Sequence, residues 1–369
     1  MDKLMKPQQR RVTIKDIAAM ANVSIGTVDR VLHNRGEVNQ ATHKRVMSFV
    51  EELGYTPNLL AKSLALKKSF SIAALIPDAG ESNPYWKEPL AGINRAAEEL
   101  KDFNTTIAVF NFDPGEELSF VIEFDRMLAL HPDGIILAPN FHEAALQLMP
   151  KCKAQNIPLM LIDNNLDDGS GLAYFGQDAL QSGIVAAKLM HYGLPKYATV
   201  LILNLAHNKA ITRHMQRREQ GFMNYFEKEV PDHCIKTLSI AIDLSLEKEP
   251  FAALQSVFSG HPNIAGIFVT NSRVHKVARY LSATGQGKPM LIGYDLIDAN
   301  MEYLGNGSID FLICQKPEEQ GYKSAMTMFN YLLTGKRAEK VNFSPIDIIV
   351  KENVDNYRNL IMQKGYEKC

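Results

Sequence analysis

Residues 12–36, VTIKDIAAMANVSIGTVDRVLHNRG, predict two short helices joined by a tight turn. Thr13 can cap the first helix, and Asp16 stands where the helix dipole favours an anion. Asn22 tolerates the left-handed backbone that a tight turn needs, and Ser24 can cap the second helix. Two helices joined in this way form a helix-turn-helix.

A third helix is predicted from an Asn39 cap to Gly54, with Val46, Phe49 and Val50 on its apolar face. By themselves, three such helices could form a small bundle with no role in nucleic-acid binding. Side chains around the second helix favour DNA binding, because they are donors suited to phosphates and base edges. They are Thr27, Arg30, His33, Asn34 and Arg35.

Charge is divided unevenly along the chain. The 369 residues hold 40 Lys and Arg against 41 Asp and Glu, a formal net charge of −1. Residues 1–70 contain 12 of the basic residues and six of the acidic ones, whereas the remainder carries 28 against 35. A short basic head on a long acidic body is expected when one end of a protein meets a polyanion.

From Ser71 onward, apolar strands alternate with amphipathic helices. The run Ser71–Ile76 is continuously apolar, as a buried parallel strand should be. Two βα series of similar length predict two doubly wound parallel sheets and therefore two α/β lobes. Ligands of such folds bind beyond the carboxyl ends of the strands, so two facing lobes create a cleft.

Polar residues stand at the predicted strand ends of the body. They are Asn83 with Tyr85 and Trp86, Asp163 with Asn164, Asn271, Asp295 and Gln315. Carboxylates and amides bind vicinal hydroxyls, and aromatic rings cover the apolar faces of a sugar. Each residue taken singly could instead be a helix cap, a turn residue or part of the core.

A cationic stretch, Arg213 to Arg218, has two interpretations. It could pair with a phosphate or carboxylate on a ligand in the cleft. The alternative, which the sequence favours, is a solvated charge run at the exposed start of a helix.

Several protein classes are excluded. No apolar run reaches the roughly 18 residues of a membrane helix, and the first residues lack the apolar core of a signal peptide. Four widely spaced cysteines match neither a disulfide framework nor a zinc site. We expect a cytoplasmic protein without cofactor or metal ion. Catalytic motifs such as GxSxG, HExxH and Walker A are absent from the sequence.

Residues 12–68 resemble the DNA-binding head of the LacI-type (LacI/GalR) repressors. The run VTIKDIAAMANVS…TVDRVLHNRG…ELGYTPNLLAKSLA carries this resemblance. It implies a hinge helix after Pro57 that wedges Leu64 into the minor groove, and base-reading positions at Ile25, Gly26 and Arg30. Gly26 departs from the long polar side chain usual there. The implied DNA contacts are Thr13, Ser24, Ile25, Gly26, Thr27, Arg30, His33, Asn34, Asn39, Thr42, Asn58, Ala61, Lys62 and Leu64.

Residues 71–350 resemble the ribose-type periplasmic sugar-binding proteins and the matching repressor cores. The motifs are NPYW, DGIILAPN, IPLMLIDNN, RREQGF, FVTN, LIGYD and ICQKPEEQGY. The ligand contacts expected from this resemblance and from the strand ends are Asn83, Tyr85, Trp86, Asn140, Asp163, Asn164, Gln216, Arg218, Asn271, Asp295 and Gln315. Asn164 and Gln216 stand where the ribose-type binders carry Arg, and Ser272 stands where an Asp is usual. Because of these departures, the resemblance does not identify the particular sugar.

These observations predict a sugar-responsive transcriptional regulator, in the commoner family mode a repressor. It would bind a pseudo-palindromic operator as a homodimer. We expect a helix-turn-helix head over 1–56, a hinge over 57–70, one lobe from 71–176 and 316–343, and another from 177–315 and 344–369. The alternatives are a sugar receptor of a transport system and a carbohydrate-acting enzyme that uses Asp163 and Asp295. Whether ligand releases DNA or tightens its binding stays open.

Overall fold

The computed structural model describes residues 12–32, 36, 38–53, 68–81, 83–166, 169, 171–207, 211–230, 234–245, 250–261 and 263–359. The chain divides into two compact units, Met1–Lys68 and Ser69–Cys369. The first is the helical head and the second is the α/β core.

The head contains α1 (Ile14–Met20), α2 (Ile25–Leu32) and α3 (Gln40–Glu52). The caps predicted from the sequence are confirmed. The Thr13 hydroxyl accepts a hydrogen bond from the Asp16 amide at 3.4 Å, and the Asp16 carboxylate accepts one from the Thr13 amide at 2.8 Å. Ser24 Oγ accepts from the Thr27 amide at 3.1 Å, and Asn39 Oδ1 accepts from the Ala41 amide at 2.8 Å.

The turn between α1 and α2 has the predicted left-handed residue, Asn22, with φ of 50°. Side chains from all three helices meet in a small apolar core whose centre is Ile17, Ala21, Val28 and Val46. The predicted end of the third helix at Gly54 and the predicted hinge helix after Pro57 lie outside the described residues.

The core begins with a βα series that forms the first sheet. Its elements are β1 (Phe70–Pro77), α4 (Lys87–Leu100), β2 (Thr105–Phe112), α5 (Glu117–Leu128), β3 (Gly134–Leu137), α6 (His142–Ala154), β4 (Leu159–Ile162) and β5 (Ala173–Gln177). Short 3₁₀ turns, Pro84–Trp86 and Lys101–Phe103, flank α4. Strands β1, β3 and β4 are completely buried or nearly so, as their continuous apolar runs predict.

A second βα series forms the other sheet, and the last strands of the chain then join both sheets. The second series is α7 (Ala179–Gly193), β6 (Ala198–Ala206), α8 (Arg213–Glu229), β7 (Ile235–Asp243), α9 (Phe251–Gly260), β8 (Ile264–Val269), α10 (Val274–Thr284), β9 (Met290–Tyr294), α11 (Asp298–Gly305) and β10 (Phe311–Cys314). The last elements are α12 (Pro317–Thr334), β11 (Val341–Ser344) and β12 (Asp347–Ile349).

The strand orders are β11-β5-β4-β3-β1-β2 in the first sheet and β12-β10-β9-β8-β6-β7 in the second. We call the parts built on them the first and second lobes. Described pairs in the first sheet are all parallel, and β12 joins the second sheet antiparallel to β10. The predicted fold class is confirmed. The sequence patterns did not predict β5, α11, α12, β11 or β12, several of which are too short for a clear period.

The crossings between the lobes are tied together by one side chain. Gln177 ends β5, and its amide donates to the carbonyl of Cys314 at 3.1 Å and of Pro345 at 3.0 Å. These three residues stand where the chain leaves one lobe for the other. Helix α12 then packs against α4 of the first lobe.

Candidate ligand-binding cleft and DNA-binding face

A polar cavity lies where the carboxyl ends of the two sheets face each other. Residues from both lobes line it. They are Asn83, Tyr85, Trp86, Pro114, Asn140, Asp163, Ala206, His207, Thr212, His214, Met215, Arg218, Asn271, Ser272, Arg273, Asp295 and Gln315. This is the location that the doubly wound topology predicts for a ligand.

Asp163 presents a carboxylate from the first lobe, directly after β4. The residue is 6% exposed. The Tyr85 hydroxyl donates to Asp163 Oδ1 at 2.6 Å, and the Asn164 amide donates to Oδ2 at 3.1 Å. Burial raises the pKa of Asp163, whereas the Tyr85 hydrogen bond and the charge of Arg218 act in the opposite direction.

Asp295 presents the matching carboxylate from the second lobe, directly after β9. It is 4% exposed, and Gln315 Nε2 donates to its two oxygens at 3.1 and 3.3 Å. Burial raises the pKa of Asp295 to about 7; the Arg218 charge and the Gln315 hydrogen bond oppose this increase, and the charge of Asp163 adds to it. Two carboxylates that are almost completely buried in one cavity therefore favour hydroxyl donors from a ligand.

Arg218 is a buried cation beside these carboxylates, and the residue is only 2% exposed. Its Nη1 donates to the Thr270 carbonyl at 2.8 Å, and its Nη2 donates to Gln315 Oε1 at 3.2 Å. The guanidinium lies 3.6 Å from the centre of the Tyr294 ring. Its Nε has no acceptor among the described residues, so a ligand oxygen could satisfy it.

His214 lies beside Asp163 as a neutral imidazole. Burial, followed by the charges of Arg218 and Arg273, lowers the pKa of His214 well below its usual value. Its Nδ1 lies 2.6 Å from Asn164 Oδ1, a bond that a proton on Nδ1 satisfies. Asn164 in turn donates to Asn140 Oδ1 at 3.3 Å and thereby connects the His214 helix to the first lobe. Because the ring is neutral, its 3.8 Å approach to Asp163 Oδ2 is not an ion pair.

Nine of the residues predicted to bind ligand line this cavity, namely Asn83, Tyr85, Trp86, Asn140, Asp163, Arg218, Asn271, Asp295 and Gln315. Asn164 stands behind them and holds Asp163. That these residues bind a ligand stays a prediction.

Gln216 lies away from the cavity. It is exposed and absent from the lining, and among the described residues its amide reaches the Ile211 carbonyl at 3.5 Å. Met215 and Arg218 lie three residues apart on the inward side of α8, and Gln216 is turned about 100° from Met215 toward solvent. The predicted solvated charge run is likewise wrong for Arg218, although Arg213 is exposed.

The sequence patterns missed several lining residues, above all His207, His214 and Arg273. The sequence carried a signal for two of them, Arg273 and His214. Arg273 follows the predicted strand-end residue Asn271 by two positions, and His214 belongs to the cationic stretch already singled out. The loop residue Pro114 and the strand-end residue Ala206 carried no comparable signal.

The head presents an exposed surface at the start of α2. Ile25 is 49% exposed although apolar, and Ser24, Gly26 and Arg30 are exposed with it. Arg30 Nε donates to the Gly26 carbonyl at 3.2 Å. A Cβ on Gly26 would meet only Ser24 Oγ, at 3.8 Å, so the surface is open at this position. Thr13 and Asn39 are exposed, and Thr27 and Thr42 are partly buried.

The other predicted DNA contacts, His33, Asn34, Asn58, Ala61, Lys62 and Leu64, lie outside the described residues.

Comparison with known families divides the chain into the same two parts as the structure, the head and the core. Residues 13–58 match the model for bacterial regulatory proteins of the lacI family, and residues 73–337 match the periplasmic binding protein domain. The crystal structure of a "putative LacI transcriptional regulator" from Bacteroides fragilis is 30% identical, with a TM-score of 0.74, and covers 79% of this chain and 100% of its own. The chain belongs to the LacI family.

Two curated relatives from Bacillus subtilis are similar to this LacI-family chain. The ribose operon repressor is 28% identical over 290 residues, which is 77% of this chain and 81% of the relative. The transcriptional regulator DegA is 33% identical over 156 residues, 42% of this chain and 44% of the relative. The chain therefore spans less than half of DegA in that match. None of the helices in the described ranges has the length and apolar composition of a membrane span.

Proposed function

We propose that this LacI-family protein is a sugar-responsive transcriptional repressor. It acts in the cytoplasm as a homodimer on a pseudo-palindromic operator, and it has no catalytic activity. The observation that carries the proposal is one chain that combines a lacI-family head with a cavity lined by two dry carboxylates and two aromatic side chains.

The composition of the cavity supports a sugar as the effector. Asp163 and Asp295 are acceptors on opposite lobes, and Asn271 and Gln315 add amide groups from the second lobe. Tyr85 and Trp86 are buried with their rings 5.3 Å apart in an edge-to-face arrangement, which gives an apolar wall for a sugar ring. A sugar supplies both hydroxyl donors and apolar ring faces.

The exposed start of α2 supports operator binding by the head. Residues 1–56 would dock on DNA, with Ile25 and Arg30 toward base edges in the major groove, and 57–70 would form the hinge. Two heads related by two-fold symmetry would read two half-sites. The two lobes, 71–176 with 316–343 and 177–315 with 344–369, would bind the sugar.

Ligand would control DNA binding through closure of the lobes. Each carboxylate belongs to a different lobe, so a sugar that bridges them stabilises one relative orientation. An effector can change DNA affinity only by binding two states of the protein with different affinity. The bridging position of the ligand provides such a difference.

The test is footprinting and salt-dependent binding on promoter DNA, with and without a sugar found by a thermal-shift screen. We expect two half-sites, an affinity that falls steeply with salt as counterions are released, and a change in affinity when the sugar is present. A single half-site, or turnover of the sugar, would contradict the proposal.

Two head variants make the test specific. Arg30→Ala should cost about 1–3 kcal/mol on the operator if Arg30 reads a base, and much less on random DNA. Equal loss on both would assign Arg30 to phosphate. Leu64→Ser should reduce DNA bending and leave sugar binding unchanged if Leu64 is a wedge.

A further inference from the structure

Arg273 is a cation at the edge of the cleft with few partners. It lines the main cavity and an adjoining one, and the two share Asn83, Pro114, His207 and Arg273. Its Nη1 donates to the Leu205 carbonyl at 3.3 Å. Within the part of the chain that the structure describes, no carboxylate forms an ion pair with it. A guanidinium carries five N–H donors, and the described residues are seen to accept from one of them.

The surroundings of Arg273 disfavour a lone charge. Burial lowers the pKa of Arg273, and the Arg273 charge in turn helps to lower the pKa of the neighbouring His207. Removing a cation from water is costly unless an anion or several acceptors replace the water. A ligand carboxylate beside Arg273 would supply both.

Asp163 and Asp295 do not fill this role, because other groups hold them. Asp163 is bound by Tyr85 and Asn164, and Asp295 is bound by Gln315. Asp113 and Glu116 line the adjoining cavity, and Asp113 Oδ1 accepts from the Gly115 amide at 2.8 Å. These two acidic side chains at the mouth favour a ligand with one negative charge over a doubly charged phosphate.

We propose that the effector is a sugar acid, with its hydroxyls at Asp163 and Asp295 and its carboxylate on Arg273 beside His207. This inference rests on the proposed function of the cleft as a sugar site and specifies the ligand class. Arg273 is then the residue that distinguishes an acid from the neutral sugar of the same shape, through charge-assisted hydrogen bonds.

The experiment is calorimetric titration of the full chain with matched probes. The pairs are D-galacturonate with D-galactose and D-glucuronate with D-glucose, and D-glucose 6-phosphate tests the doubly charged case. We expect the acid of at least one pair to bind at least about tenfold more tightly than its neutral partner, and the phosphate to bind more weakly than that acid.

Arg273→Gln should abolish this preference, and Arg273→Lys should retain part of it. The variant should fold, because the Leu205 carbonyl still accepts from Asn271 Nδ2 at 2.7 Å. Thermal melts check this. The matched control is Arg279→Gln, which removes the same charge from an exposed position on α10 and should keep the preference.

Three results would overturn the inference. The first is equal affinity for the acid and the neutral sugar in both pairs, or a titration in which none of the probes binds. The second is an Arg273→Gln variant that weakens both members of a pair equally, which would make Arg273 a contact across the cleft mouth to Asp113 or Glu116. The third is tighter binding of the phosphate. Salt-dependent operator binding is measured separately, so failure of the proposed function is distinguishable from failure of the ligand class.

Discussion

Asp163 of the first lobe and Asp295 of the second occupy equivalent backbone positions. Each follows a central parallel strand, with φ of 63° and 69°. Each amide donates at 3.0 Å to a carbonyl of the neighbouring strand, Phe175 for Asp163 and Ile313 for Asp295. Positive φ is uncommon outside glycine, and Asp and Asn are among the residues that tolerate it. The fold therefore builds the same carboxylate position twice.

The side chains around the two positions differ. Asp163 accepts a short bond from a tyrosine hydroxyl, whereas Asp295 accepts from the Gln315 amide, which itself accepts from Arg218. The first carboxylate is thus held within its own lobe, and the second depends on a chain of polar groups that ends at a buried cation. A repeated backbone fixes where the charges are, and the local side chains decide how each charge is stabilised.

The largest expected effect comes from removing the cation on which Asp295 depends. Arg218→Met keeps a similar length but leaves Gln315 and Asp295 in a buried network without its positive charge. We expect the free energy of unfolding to fall by about 3–5 kcal/mol, as for other broken buried ion networks. Denaturant unfolding measures this.

Arg213→Met on the exposed side of α8 is the control and should change stability by less than about 0.5 kcal/mol. Equal stability of the Arg218 variant and the wild type would show that Asp295 does not depend on Arg218.

The hydroxyl that holds Asp163 is tested by Tyr85→Phe, with Tyr294→Phe as its match in the second lobe. Tyr85 donates to a carboxylate, whereas the Tyr294 hydroxyl meets the Ser182 hydroxyl at 2.9 Å. At pH 8 we expect losses in unfolding free energy of about 1.5–3 kcal/mol for Tyr85→Phe and about 0.5–1.5 kcal/mol for Tyr294→Phe. Losses of the same size would indicate that Asp163 is not charged.

Ligand affinity tests whether both carboxylates contact one sugar. Asp163→Asn and Asp295→Asn keep the shape and the left-handed backbone, since Asn also tolerates positive φ. Each substitution should lower the affinity for the sugar by at least about tenfold, or about 1.4 kcal/mol, in a calorimetric titration. Operator binding without sugar should survive in both. Unchanged sugar affinity in both variants would place the sugar away from these two carboxylates.

The stability of the protein should also depend on pH through Asp295. Its pKa is about 7 in the folded protein, above the value of an unfolded Asp, so the folded state binds the extra proton. Stability should therefore fall as the pH rises from about 4 to about 7, with a slope of at most about 1.4 kcal/mol per pH unit for this group. Asp295→Asn should flatten the profile, and Asp102→Asn, on an exposed side chain, should not.

The sequence alone determined the features that depend on near neighbours in the chain. Thr13, Ser24 and Asn39 cap helices through amides two or three residues away, so their identity and spacing were sufficient. The strand-end carboxylates followed from apolar runs that stop at Asp163 and near Asp295, because parallel strands align their carboxyl ends.

Only the tertiary structure decided which members of the cationic stretch face the cleft, and which groups share it. Arg218 and Gln216 are two residues apart, yet one is buried beneath Tyr294 and the other is exposed. His214 meets Asn164 from 50 positions away, and Gln315 joins Arg218 to Asp295 from 97 and 20 positions away. Burial, charge and hydrogen bonding at these sites arise from segments that are distant in sequence. A local pattern can place a residue on a face of a helix, but only packing decides what that face meets.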